Sequence, residues 1–233
     1  MKIRFTGSHL LTNKVIAIYA VAMTAVAGGI LLLPAQSPKP NVAYDLFKIG
    51  QTTPDQTLVA NGWKPTGYSC QAAIPTQMAH GFGSTVCGYS YVTASHNLIT
   101  NAGIDWLACR MVSQIVAGPT MRCNSLDTWI ALGNPGTCGS QAATDTTLYS
   151  ASEISTSSLN RAIGTVAHLN GSATYTVAKS GGTVFAATGT VNGICLSGLF
   201  NAASGGALVF ENNFSSTNMQ NGDTLAVTWT VTL

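Results

Sequence analysis

From residue 224 onward, apolar and hydroxyl positions alternate almost without exception. Leu225, Val227, Trp229, Val231 and Leu233 fall on one side, and Thr224, Ala226, Thr228, Thr230 and Thr232 on the other. Successive side chains of an extended chain point to opposite faces, so this pattern predicts a strand with one face in a core and one toward water. Threonine suits the outer role because its branched Cβ fits the pleat while its hydroxyl tolerates solvent. A second strand, Ala207 to Phe214, follows the Gly205-Gly206 turn. Together the two predict antiparallel sheet packed on a core through one face.

Shorter runs of the same kind precede them. Thr128 to Leu132 reads as a strand that ends in the turn cluster Gly133-Asn134-Pro135-Gly136. Residues 139 to 160 are mostly Ser, Thr and Ala and predict a loop. Asn160 to Leu169, Ala173 to Ala178, Thr183 to Val191 and Ile194 to Ser197 predict further strands, with hairpin turns at Asn170-Gly171 and Gly181-Gly182. Helical spacing stands out once in this half. Ile104, Leu107, Ala108, Met111, Val112 and Ile115 form one apolar stripe, Thr100 or Asn101 caps its start, and Gly118-Pro119 stops it. The expected architecture is all-β: an antiparallel β-sandwich, jelly-roll-like, with one covering α-helix.

The first half is less regular. Lys2, Arg4 and Lys14 precede an uncharged apolar run from Val15 to Leu33. As a helix, its nineteen residues span roughly 28 Å, close to the hydrocarbon thickness of a bilayer. Two readings stand: a secretory signal cleaved near Ala25-Val26-Ala27, and a retained hydrophobic anchor ending at Pro34. Either way the basic flank predicts the bulk of the chain on the far side of the membrane. Residues 34 to 43, with three prolines, predict an extended linker. Residues 44 to 95, punctuated by Gly62, Pro65, Gly67, Pro75, Gly81, Gly83 and Gly88, predict an irregular, mostly β arm or extra layer. The expected division is 1–34 anchor or signal, 35–95 linker and arm, and 96–233 sandwich domain.

Composition sharpens the picture in two ways. Only 8% of residues are charged and the net charge is +2, with no basic run after residue 14, so no nucleic-acid footprint is visible. The six cysteines, Cys70, Cys87, Cys109, Cys123, Cys138 and Cys195, show no C-x-x-C spacing, which argues for disulfides in an oxidising compartment over a metal or redox motif. The simplest local pairing joins Cys70 to Cys87 and Cys123 to Cys138, leaving Cys109 to tie the predicted helix to Cys195.

Several stretches then carry a resemblance. LITNAGIDWLA (residues 98–108), WIALGN (129–134), ATDTTL (143–148), Arg161, LSGLFNAASGGALV (196–209) and LAVTWTVTL (225–233) together resemble small structural proteins of tailed bacteriophages, the tail-fibre-like or tail-associated virion proteins. The resemblance covers about residues 97–233, and GLFNAASGG is its most specific part. It implies a non-enzymatic assembly role, a homo-oligomer in contact with other virion proteins, and contact with a host surface glycan or receptor. The apolar N-terminus and the cysteines depart from that family. They imply display from a membrane at residues 15–33, on a virion or outside a cell.

Chemistry-bearing residues are sparse. His9, His80, His96 and His168 are scattered, and Ser84 lacks the glycine that would complete a G-x-S-x-G elbow. The segment from Gly198 to Gly206 lacks the lysine of a phosphate loop. No cofactor or metal site is expected. Glu153 with Glu211 is the pair that a glycan hydrolase would require across a cleft. Asp145 and Asp223 stand in turn-like contexts, where a carboxylate usually caps its own backbone. Trp106, Trp129 and Trp229 belong on apolar stripes, whereas Trp63, in a Gly- and Pro-rich segment, is the candidate for a partner or glycan contact. The expected function is a virion structural protein. The alternatives are a membrane-anchored surface adhesin or pilus-like subunit and, more remotely, a glycan hydrolase.

Overall fold

A computed structural model describes residues 41–96, 98–104, 128–139, 141–169 and 174–232. The hydrophobic segment 15–33, the predicted helix beyond residue 104, Trp106, Cys109 and Cys123 lie outside the described residues. Among the described residues no helix is long and apolar enough to cross a membrane.

The fold is mostly β, built from two antiparallel sheets. The larger holds β1 (Asn41–Ile49), β2 (Lys64–Ala72), β3 (Thr85–His96), β7 (Thr165–His168), β8 (Thr174–Lys179), β9 (Phe185–Ala186) and β12 (Thr224–Thr232). Its order is β2-β3-β1-β12-β8-β7, with β9 also paired to β12. The smaller holds β4 (Leu98–Ile99), β5 (Trp129–Gly133), β6 (Ala162–Ile163), β10 (Val191–Phe200) and β11 (Leu208–Met219), in the order β4-β11-β10-β5-β6. Two short helices, α1 (Gln56–Ala60) and α2 (Pro75–Ala79), link β1 to β2 and β2 to β3.

The alternation in the last strand does what its pattern requires. Leu225, Val227, Trp229 and Val231 are fully buried; on the other face Thr228 and Thr230 are half-buried and Thr232 is exposed, while Thr224 and Ala226 at the start of the strand are buried as well. The strand lies in the middle of the larger sheet, between β1 and β8. Its inward face meets the smaller sheet through one shared core, in which Val42, Tyr44, Leu46 and Val177 pack with Ile130, Leu132, Ile194, Leu199 and Phe210. Tyr44 stacks on Phe214 with ring centroids 4.0 Å apart, and Phe210 lies 6.2 Å from Trp229. Polar bonds fix the two layers in register. The Trp229 indole donates to Ser197 Oγ (3.1 Å), and Asn212 Nδ2 donates to Tyr44 Oη (2.6 Å) and Ser95 Oγ (2.7 Å). Burial pushes the Tyr44 hydroxyl well above its ordinary range, so it stays neutral in this interior.

Three expectations need correction here. First, residues 41–96 are not an arm. The strand β1 starts inside the predicted linker and pairs with β12 from Asn41↔Thr230 to Phe47↔Thr224, so the boundary expected near residue 95 runs through the middle of one sheet. Backbone hydrogen bonding along two full strands leaves no hinge there. Second, β11 and β12 are not neighbours in one sheet. The chain crosses between layers at residues 220–223, and β11 pairs instead with β10 and β4. Third, Gly181-Gly182 does not close a hairpin. It forms a 3-10 turn that lifts off the sheet and returns, so β8 and β9 lie end to end along the same edge of β12.

One glycine shows how the layers join. Gly164 carries the chain from β6 in the smaller sheet to β7 in the larger. A Cβ there would sit 2.7 Å from Val177 Cγ1 and 3.1 Å from Ile130 Cδ1, so only glycine passes between the sheets at that point. Of the predicted covering helix, residues 101–104 are described and helical. Thr100 is its cap: Gly103 N donates to Thr100 Oγ1 (3.0 Å), and that hydroxyl donates to the Leu208 carbonyl (2.5 Å).

Candidate functional site

A polar concavity lies at one end of the two-layer body. After β1 the chain turns at Gly50, whose φ of +75° suits glycine, and crosses this end as residues 51–63. Asp55 caps α1 by accepting from Thr57 N (2.8 Å). The buried Tyr91 hydroxyl accepts from Asp55 N (2.7 Å) and donates to Gln51 Oε1 (2.8 Å), which fixes the crossing segment to β3. The crossing closes at Trp63, whose indole donates to the Ser215 carbonyl at 3.0 Å and the Ser216 carbonyl at 3.3 Å.

The opposite wall is the connection from β11 to β12. Asp223 is 1% exposed and accepts from Gln220 N (2.8 Å), Ile49 N (2.9 Å) and the Lys48 ammonium. Lys48 also donates to the Asn218 carbonyl (2.9 Å). From the far side, Gln77 Nε2 of α2 donates to the Gly222 carbonyl (2.7 Å). This fully bonded cluster fixes a cavity of about 250 Å³, lined by Lys48, Gln51, Asp55, Asn61, Asn218 and Gln220 among others. Asp223 neutralises Lys48, so the Asp55 carboxylate is the remaining charge. The side chains of Asn61 and Gln220 carry no hydrogen bond among the described residues, so their amides are free to serve a ligand. Amide donors and acceptors around a small, weakly charged hollow suit a neutral, hydroxyl-rich ligand.

A second concavity of about 630 Å³ crosses the outer face of the larger sheet. Its floor includes Asp45, Ser90, Val92, Thr224 and Ala226, and its walls are residues 72–75 and the 181–184 turn. Burial raises the pKa of the Asp45 carboxyl above its ordinary value. This groove is broader and more apolar than the end pocket.

The residues singled out in the sequence are placed as follows. Trp63 is not a contact surface: it is 1% exposed, edge-on to Phe214 at 6.3 Å, and its indole N–H is spent on the β11 backbone. Its glycine-rich surroundings serve the tight crossing, not exposure. Trp229 is buried and Trp129 is packed against a small cluster of Ala131, Leu148, Phe200 and Leu208, as apolar stripes require. Cys70 pairs with Cys87, as expected, across β2 and β3. Cys138 pairs with Cys195, so neither Cys123–Cys138 nor Cys109–Cys195 forms. The reason is register. Gly133 at the end of β5 lies opposite Leu196, which brings the loop at 138 beside Cys195 whatever its separation in sequence. Glu153 is held by Arg161 through two bonds, Nε to Oε1 at 2.9 Å and Nη2 to Oε2 at 2.5 Å. Glu211 is buried beneath residues 141–153, where its Oε1 accepts from Tyr149 N (2.7 Å). The acids proposed for a hydrolase are therefore each engaged in the fold and do not line either concavity.

Asp145 and Asp223 both accept a backbone N–H from three residues earlier, Ala142 and Gln220 respectively, in keeping with their turn contexts. Sequence reasoning missed that Asp223 also receives Lys48. It also missed the end pocket, because the pocket's walls lie more than 150 residues apart, as Trp63 and Ser215 do. Among the described residues no group of three or more His, Cys, Asp or Glu is placed to hold a metal ion. Comparison of the chain with protein families, with curated proteins and with solved structures finds no match.

Proposed function

We propose that this protein is a non-enzymatic virion structural component of the tail, fibre, spike or decoration kind. In this reading it assembles as a homo-oligomer alongside other virion proteins and contacts a host surface glycan through the pocket at the end of the body. The observation that carries the attachment role is that pocket, with free Asn61 and Gln220 amides around a hollow of about 250 Å³. A single saccharide unit is of that size and hydrogen-bonding character. The engaged state of Glu153 and Glu211 supports binding without turnover.

The pairing of the first strand with the last supports a jelly-roll-like connectivity, and the two disulfides support assembly in an oxidising compartment. The apolar run from Val15 to Leu33 favours a second reading, a membrane-anchored adhesin outside a cell, in which the same pocket does the same work. Electron microscopy of native particles labelled against this chain separates the two. Label on nucleic-acid-filled capsids or their appendages supports the first, and label on cell envelopes or on filaments without capsids supports the second. A glycan array probed with the purified protein tests attachment: binding that Asn61→Ala and Gln220→Ala weaken is expected. Hydrolysis of any bound glycan would overturn the non-enzymatic reading.

A further inference from the structure

Glu211 stands on the outer face of the smaller sheet, yet it has no exposed surface. Residues 141–153 cover it. That segment is held by Leu148, which is fully buried against Ala131, Phe200 and Leu208, and by a bridge between Glu153 and Gly133. Between these two anchors Ser150 and Ala151 adopt left-handed φ values of 59° and 50°, which non-glycine residues adopt only under constraint. One Glu211 oxygen accepts from Tyr149 N, while the other, Oε2, is buried with no donor among the described residues. Among the described residues the carboxyl of Asp145, also in the covering segment, stands close enough to the Glu211 carboxyl to act on it. Two carboxylates cannot donate to one another, and a buried acceptor without a donor is costly. A proton on Glu211 resolves both problems, since it turns the orphan oxygen into a donor toward Asp145.

We propose that Glu211 and Asp145 form a proton-operated latch: a protonated Glu211 clamps residues 141–153 onto the smaller sheet through Asp145, and loss of that proton releases the segment. Among the described residues nothing counters the charge that results. The register partners of Glu211 are Gly198 on β10 and Leu98 on β4, neither of them ionisable. Tyr149 contributes its backbone N–H. In the covering segment Glu153 is already paired with Arg161, whose remaining bonds go to the Ala202 and Gly205 carbonyls. Burial, chiefly, and then Asp145 push the Glu211 carboxyl up from 4.5 to about 7. The sign follows. Below the ordinary carboxyl value the group is neutral whether the segment is closed or open. As pH rises toward 7 the open form ionises first, so closure weakens progressively and levels off above the raised value. The latch is tight in acid and loose in mild alkali.

Hydrogen exchange of the whole protein at pH 5.5 and 8.5 tests this, read as protection factors so that intrinsic rates cancel. Protection of the Tyr149 amide and its neighbours should fall by about 30-fold on going to pH 8.5, because a shift from 4.5 to about 7 is worth about 300-fold in full and about tenfold of that is already lost at pH 5.5. Amides of β10 and β12 serve as internal controls and should not change. Glu211→Gln mimics the protonated acid and should keep the acid-level protection at both pH values. Asp145→Asn, on the half-buried loop, should shrink the pH response without abolishing it. Equal protection of the wild-type segment at both pH values would overturn the proposal. So would a folded Glu211→Gln protein that responds to pH as the wild type does.

Discussion

Replacing Asp223 with alanine should be one of the most damaging single changes available outside the hydrocarbon core. The carboxylate is buried and accepts from two backbone amides and one ammonium. Its removal leaves Lys48, itself 7% exposed, with a single carbonyl partner at Asn218. Breaking a buried ion pair from one side typically costs about 3–5 kcal/mol, because the surviving charge stays buried without compensation. For a body of roughly 150–250 residues each kcal/mol moves the melting temperature by about 2–4 °C, so a fall of about 10 °C is expected. Urea unfolding followed by tryptophan fluorescence measures this directly, since Trp63 and Trp229 are both buried reporters. The decisive arm is the double variant Lys48→Met, Asp223→Ala. With the orphan charge gone, it should be less destabilised than the sum of the single variants by about 2 kcal/mol. A cost below about 1 kcal/mol for Asp223→Ala, or simple additivity in the cycle, would refute the argument that this pair anchors β1 to the final turn.

Other outcomes follow from the same geometry. Trp63→Ala should cost about 3–5 kcal/mol in the same unfolding assay, and a variant of near-wild-type stability would mean the indole is not packed against β11. Peptide mapping without reduction should recover Cys138 linked to Cys195; removing that bridge as Cys138→Ser with Cys195→Ser should cost about 4 kcal/mol from its 57-residue separation in a chain-entropy account. Asn61→Ala and Gln220→Ala should leave the melting temperature within about 1 °C, since neither side chain holds the fold, while weakening retention on glycan-coated beads. Loss of retention together with a large drop in stability would place those residues in the scaffold instead.

Much of the architecture was legible where one face of a strand is buried and the other wet. Thr224–Thr232 is the clearest case, and Thr174–Lys179 and Trp129–Gly133 were found to within a residue or two. The strand Asn41–Ile49 carried the same signal in Val42, Tyr44 and Leu46, but it begins next to prolines that read as linker. What local pattern cannot supply is which strands meet. The crossing of layers after β11 and the pairing of Cys138 with Cys195 both depend on register between segments remote in sequence. The candidate pocket was hidden for the same reason. Lys48 looks like a solvent-facing lysine and Asp223 like an ordinary turn residue until the two ends of the body are brought together. Glu211 was noticed as an acid, yet its burial comes from a Ser/Thr-rich loop that sequence alone leaves without a position.

The seat of β12 between β1 and β8 has a consequence for how the molecule is made. During synthesis the central plank of the larger sheet leaves the ribosome after every other described strand. Until then β1, paired to β3 on its other side, has an unzipped flank, β8 is paired to β7 alone, and β9 has no strand to lie along. Half-made chains therefore expose two raw sheet borders at once, and such borders invite pairing with the wrong neighbour. Completion must come as a single late closure, and chains stalled short of residue 224 should accumulate as clumps, not as smaller folded pieces.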